Sequence, residues 1–258
     1  TGMFRSEPDI LISDLVRETR IYESILRSIA NDARTPAEIS TQTGIAVPNL
    51  PTYLKRLGEL RLIERRLPAT IPLNERRSTT RSRYHVRDPY LRFYFRFIEP
   101  NQEMIELGLL DSLWERISEQ FRAFIGATTF EDLCREWVVA QARNRSLPFV
   151  PEVVGSHWDK QSQIDVVAIN WRDKQILLGE CKWGHEAIGR SVLHELLAKT
   201  EKVVQGDDWQ VRYVLFARAG FTDATQQAAL ETNTLLVDLP RLDADLQAAL
   251  KSVPGAEA

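Results

Sequence analysis

Two apolar runs that end in charge constrain this chain most. Gln163-Ile164-Asp165-Val166-Val167-Ala168-Ile169 and Gln175-Ile176-Leu177-Leu178-Gly179-Glu180-Cys181-Lys182-Trp183 each read as a buried strand with an acid beside its apolar residues. Side chains alternate along a strand, so Glu180 and Lys182 share a face. Two acids and a lysine converging at a sheet edge make a divalent-metal site for phosphodiester cleavage. Charges at the end of apolar strands also need partners, so spacing alone leaves open a structural pairing of Lys182 with Asp165 or Glu180.

The surrounding pattern supplies an architecture. A helical pattern covers 119–146 and stops before Pro148. Strands follow at 149–157, 164–170 and 175–182, then a helix at 186–204, a strand at 210–217 and a helix at 222–232. A strand at 235–238 and a helix at 241–251 close the chain. The order α-β-β-β-α-β-α-β predicts an α/β domain with a mixed sheet flanked by helices.

The N-terminal part reads differently. Leu15, Ile21, Ile25, Leu26 and Ile29 have helical spacing over 14–30. Thr35-Pro36-Ala37-Glu38 is a helix start, and Gly44 ends that helix. Val47 to Leu60 gives a third helix. Leu62–Arg65 and Arg83–Val86 read as strands around a polar, basic loop. Three helices and a two-stranded wing make a winged helix-turn-helix, whose third helix enters the major groove. Asn49, Thr52, Tyr53, Lys55 and Arg56 are its candidate DNA contacts, and Arg76, Arg77, Arg81 and Arg83 lie where a wing meets phosphates. The chain thus divides into a winged helix over 1–88, an aromatic linker and connecting helix over 89–118, and a nuclease-like domain over 119–258. Six aromatic residues fall between Tyr84 and Phe97. They read as packing residues before they read as a platform for bases.

Charge placement agrees with a polyanion partner. Residues 55–87 hold ten Lys/Arg against Glu59, Glu64 and Glu75, a local +7; the whole chain is −3, so the remainder carries −10. Cys134 and Cys181 form no metal pattern and are expected as reduced thiols. No stretch approaches 18 apolar residues and no signal peptide opens the chain, so a cytoplasmic protein without membrane contact is expected. Phosphate-loop, Gly-x-Ser-x-Gly and His-Glu-x-x-His motifs are absent, which removes the ATP site and hydrolase classes built on them.

The chemistry follows from ligand type. Asp165 and Glu180 supply carboxylates and Cys181 a backbone carbonyl to Mg²⁺ or Mn²⁺. Lys182, kept protonated by the carboxylates, stabilises charge on the phosphate. Glu131, on the helix before the strands, is the candidate to complete the site. His157 and His185 read as structural or surface histidines, and Trp158, Trp171 and Trp183 as packing residues.

Asp165-Val166-Val167-Ala168, Leu178-Gly179-Glu180-Cys181-Lys182-Trp183 and Asp88-Pro89-Tyr90-Leu91-Arg92-Phe93-Tyr94-Phe95-Arg96-Phe97 resemble the C-terminal part of the bacterial and archaeal DEXX-box AAA-type ATPases. In that family an ATPase domain precedes the winged helix; this chain resembles the C-terminal part alone. The resemblance implies a PD-(D/E)XK, restriction-endonuclease-like last domain, with Asp165, Glu180 and Lys182 at the metal and catalytic positions and Glu131 at the helix-borne acid. Relatives often carry Glu two residues before the Asp; Gln163 stands there, which removes a charge from the metal site. Two functions are therefore expected: a DNA-binding, Mg²⁺- or Mn²⁺-dependent nuclease, or a non-catalytic DNA-binding or docking module that regulates an ATPase domain or partner protein.

Overall fold

Thr35 begins its helix through a reciprocal pair of side-chain bonds. Its hydroxyl accepts from the Glu38 amide at 3.3 Å, and the Glu38 carboxylate accepts from the Thr35 amide at 2.8 Å. The computed structural model describes residues 19–204, 206 and 208–251. They form two compact units, divided after Arg66, Thr79 and Glu119.

In the first unit, α1 (Thr19–Ala30) buries Ile25, Leu26 and Ile29. The part of its sequence pattern from residue 14, including Leu15, lies outside the described residues. The Thr35-capped helix is α2 (Pro36–Thr43), and Gly44 closes it at φ 73°, a conformation that costs glycine no Cβ clash. A 3₁₀ turn (Val47–Asn49) leads into α3 (Leu50–Glu59), which buries Leu50, Leu54 and Leu57. Strands β1 (Ile63–Arg66) and β2 (Arg83–Val86) pair antiparallel from Ile63↔Val86 to Arg66↔Arg83. Asp88 caps α4 (Pro89–Phe93) by accepting from the Leu91 amide at 3.0 Å.

The aromatic block is core. Leu91, Tyr94 and Phe95 join the cluster made by α1, α2 and α3, and Phe97 is buried as well. The connecting helix expected within 89–118 is two helices, α5 (Gln102–Glu106) and α6 (Leu110–Phe124), broken at Gly108 with φ 74°.

The second unit is built on one sheet. A wider turn of π type (Ile125–Phe130) leads into α7 (Glu131–Arg143). Strands β3 (Val153–Trp158), β4 (Gln163–Asn170) and β5 (Gln175–Lys182) follow, then helix α8 (Arg190–Val203) and strand β6 (Gln210–Ala217). Helix α9 (Asp223–Thr232), strand β7 (Leu235–Asp238) and helix α10 (Leu239–Lys251) complete it. The strands lie in the order β3-β4-β5-β6-β7, antiparallel across β3-β4-β5 and parallel across β5-β6-β7. This is the expected mixed sheet flanked by helices.

Each face of the sheet has its own core. Val166, Ala168, Leu177 and Phe216 pack with Cys134, Trp137 and Val138 of α7. Val167, Ile169, Ile176 and Leu178 pack with Leu193 and Leu196 of α8. β4 and β5 are buried on both sides, so their sequences show continuous apolar runs instead of alternation.

The loop between β1 and β2 departs from expectation. Residues 67–79 belong to the second unit, and Ala69 and Ile71 are buried. The Ala69 amide donates to the Ser156 carbonyl at 2.7 Å. Leu67-Pro68-Ala69-Thr70-Ile71 is largely apolar, and that half of the segment outweighs its arginines.

Gly179 shows how tightly β5 is held beside the charged end. A Cβ there would stand 2.8 Å from Val214 Cγ1 and 3.0 Å from Val166 Cβ. Gly179→Ala is expected to cost about 1–3 kcal/mol through overpacking, measured as a lower urea midpoint at unchanged slope.

Candidate metal-binding and catalytic site

The last paired rung of β4 and β5 at this end is Val166↔Gly179. The next residues outward are Asp165 and Glu180, where the strands leave the ladder. Both acids are 8% exposed. Such burial of charge requires compensation, and every nearby element contributes to it. The Cys181 amide donates to Asp165 Oδ2 at 3.0 Å. Lys182 Nζ donates to Glu180 Oε1, and Lys199 Nζ, from α8, donates to Glu180 Oε2, each at 2.8 Å.

Glu180 and Lys182 follow Ile176 and Leu178 in alternation, which places them on the α8 face of the sheet. Cys181 turns to the other face and packs against the core that contains Cys134. Lys199 follows the buried Leu193 and Leu196 at a spacing of three, so the lysine extends the apolar stripe of α8 into the site.

On the α7 side, Arg135 donates to the Asp165 carbonyl at 2.8 Å and to Asp132 at 2.6 Å. Its contact with Glu131 is long, 3.4 Å. The geometry explains the protonation of Glu131. Burial and then the Asp165 charge raise its carboxyl to about 8, because Arg135 is committed elsewhere and offsets them only in part. The Glu131–Arg135 contact is therefore a weak one with a neutral acid at pH 7, not a full ion pair.

Burial and then Glu180 raise the Asp165 carboxyl too, while the Cys181 amide, Lys182 and Lys199 oppose them. Burial works against the Lys182 charge, but the hydrogen bond and charge of Glu180 more than offset it and the ammonium is held above its ordinary value. The Cys181 thiol is pushed well up by burial and by its contact with Cys134. It is therefore not a ready thiolate nucleophile.

Asp165, Glu180 and Lys182 thus meet at this strand end, while Glu131 lies on the α7 side and feels the Asp165 charge. Lys199 and Arg135 join them without having been predicted. The available signal for Lys199 is a cation on the buried stripe of a helix; for Arg135 it is the i+4 spacing from Glu131 and i+3 from Asp132. The Cys181 carbonyl belongs to the same strand end. Among the described residues, no group of three or more His, Cys, Asp or Glu side chains is arranged to hold a metal. The donor set is nonetheless of the hard oxygen type: two buried carboxylates whose repulsion is visible at Asp165. Mg²⁺ accepts one or two carboxylates and fills its other positions with water and phosphate. The residues therefore fit such a cation, with ammonium groups now standing on Glu180.

His157 and Trp183 are packed beside the site, whereas His185 is exposed. His157 is buried with Thr70 Oγ1 at 2.6 Å from Nδ1 and Asp159 at 3.4 Å from Nε2. His185 lies 3.4 Å from Arg218. Trp183 packs on Phe130 at 5.0 Å between ring centroids, under the Arg218 guanidinium. Gln163 is exposed.

In the first unit, Thr52, Lys55 and Arg56 are exposed along α3, and Asn49 is exposed in the 3₁₀ turn before it. Lys55 and Arg56 approach Glu59 at 3.9 and 3.7 Å. Tyr53 is half-buried, its ring edge-on to Tyr22 at 5.4 Å. Arg81 is exposed and Arg83 half-buried, where burial and then Arg34 lower the guanidinium pKa. Arg76 and Arg77 lie in the segment of the second unit. Arg77 is exposed, and Arg76 turns back on the Pro68 and Ile71 carbonyls at 3.4 and 3.5 Å.

Residues 94–195, which carry most of this site, match the DUF234 family, described as archaeal and bacterial proteins of unknown function. The uncharacterized protein MJECL04 of Methanocaldococcus jannaschii is 32% identical over 219 residues, 84% of this chain and 48% of that protein. The chain thus spans about half the length of that curated relative. Two solved structures are similar at 11% identity. Can2 from Sulfobacillus thermosulfidooxidans, in complex with cyclic tetra-adenylate, has a TM-score of 0.33 over 96% of this chain and 55% of that one. Protein VC1899 from Vibrio cholerae has 0.30 over 90% and 51%. No helix among the described residues is long and apolar enough to cross a membrane.

Glu131 makes stability pH-dependent. Its carboxyl has a pKa of about 8 in the fold against an ordinary 4.5. The native state holds a proton that the unfolded chain releases, so this contribution is fully present below about pH 4.5 and lost as pH rises through about 8. Glu131→Gln is expected to flatten the decline between about pH 5 and pH 9 by about 1–3 kcal/mol, read from urea unfolding at the two pH values.

Proposed function

We propose that the second unit is a metal-dependent nuclease-type domain acting on phosphodiesters. The observation that carries this reading is the convergence of Asp165, Glu180 and Lys182 at the separating ends of β4 and β5, with both acids buried. Asp165, Glu180 and the Cys181 carbonyl would hold Mg²⁺ or Mn²⁺. Such an ion, when bound, polarises a phosphate and lowers the pKa of its water.

The chain's own residues do the rest. The Cys181 amide fixes the Asp165 carboxylate in place. Lys182 stays protonated and presents a positive charge to the phosphate oxygens as negative charge develops on them. Glu131 carries a proton at neutral pH and offers a donor on the α7 side.

The first unit is read as a winged helix that binds DNA through Thr52, Lys55 and Arg56 on α3 and Asn49 just before it, with Arg81 as a phosphate contact. The wider setting we propose is the C-terminal part of a DEXX-box AAA-type ATPase, working in a reducing cytoplasm with an ATPase domain or partner protein. One observation favours a second, non-catalytic reading: both Glu180 oxygens are already taken by lysines. In that case the sheet is a docking module.

Plasmid nicking with Mn²⁺ separates the two. The wild type is expected to nick, with Asp165→Asn and Lys182→Ala at least about 100-fold slower; equal rates in all three, or no nicking in any, excludes the nuclease. The paired change Lys55→Ala/Arg56→Ala in the full chain is expected to weaken DNA binding and reduce the salt slope by about 1–2. An unchanged slope would remove α3 from the interface.

A further inference from the structure

Lys199 carries an inference beyond the acids and Lys182. Glu180 holds two ammonium groups, one on each oxygen, both at 2.8 Å. The two lysines are not equivalent. Lys182 sits two residues along the same strand, so its reach to Glu180 is set by β5 itself. Lys199 crosses from α8 on a four-carbon stem; its side chain is 26% exposed and that of Lys182 38%, so the element that carries each lysine, not hydration, sets the two apart. A flexible, partly hydrated ammonium can leave a carboxylate without disturbing the helix that carries it. Meanwhile Asp165 accepts the Cys181 amide at one oxygen, so the site's negative charge is balanced unevenly, with the excess positive charge on Glu180.

We propose that Lys199 is the resident counter-cation of this site. Its ammonium stands on the Glu180 oxygen that a divalent cation takes, keeps the buried carboxylate neutralised in the metal-free protein, and gives way when the metal binds. This rests on the reading of Asp165 and Glu180 as cation ligands. No atoms are transferred: one ion replaces another on Glu180 Oε2, and the freed ammonium returns to water or turns to a phosphate at the same edge. Lys199 is thus a gate on metal affinity, set by the competition between one protein charge and one dissolved charge for the same oxygen.

The test is calorimetric titration of Mn²⁺ at low ionic strength, paired with thermal unfolding of the metal-free and Mn²⁺-saturated full chain. Lys199→Gln and Lys199→Met, which keeps the apolar stem, are compared with wild type, Asp165→Asn and the exposed-face control Lys202→Gln. Both Lys199 variants are expected to bind Mn²⁺ about 10-fold more tightly than wild type. Their metal-free Tm falls, and saturating Mn²⁺ brings it back to the wild-type value. Lys202→Gln leaves the affinity unchanged, and Asp165→Asn abolishes binding. Binding detected only in the Lys199 variants supports the gate as well.

Equal or weaker affinity in both Lys199 variants, with binding still lost in Asp165→Asn, overturns the gate and leaves the metal site standing. An equal gain in Lys202→Gln reduces the effect to net charge and also overturns it. No binding in wild type or either Lys199 variant overturns the gate together with the cation reading.

Discussion

Two carboxylates held nearly out of water at the ends of two apolar strands are the constraint on which the second unit turns. Neither can be left unpaired at that depth, and two of the neighbours answer the need. β5 contributes a peptide N–H and Lys182, and α8 contributes Lys199, while Arg135 of α7 is spent on the Asp165 main-chain carbonyl and on Asp132. The strands can stay apolar up to this edge because β5 and α8 bring cations to it. Where compensation runs short, at Glu131, the acid keeps its proton. A fold that only needed stability would place apolar residues here at less cost.

Much of this is legible in the sequence, for physical reasons. Buried strands announce themselves as apolar runs, and β4, β5, β6 and β7 fall within a residue of their expected positions. α2 is legible because Thr35, Pro36, Glu38 and Gly44 each have a local job in starting or stopping a helix. Asp165, Glu180 and Lys182 are legible because alternation fixes side-chain direction along a strand.

What escapes the sequence depends on non-local packing. Lys199 is one of several charges on α8, and only the tertiary fold shows that its stripe meets Glu180. The arginines of segment 67–79 suggest a wing, whereas burial of Ala69 and Ile71 decides where the segment goes. Tyr53 has the position of a groove contact, but its ring is spent in part on Tyr22. Gly108 splits the connecting helix because a left-handed residue ends it, a conformation helical periodicity does not register.

The placement of residues 67–79 has a consequence for dissecting the molecule. The chain passes from one unit to the other three times, after Arg66, Thr79 and Glu119. No single cut therefore yields two intact pieces. A fragment beginning at residue 120 has every strand of the sheet but lacks Ala69, leaving the Ser156 carbonyl without its donor and a hole where a fully buried methyl stood. The two halves of this protein are interlaced in sequence, so joining two finished modules end to end does not produce this chain: thirteen residues of the second must first be spliced between the strands of the first.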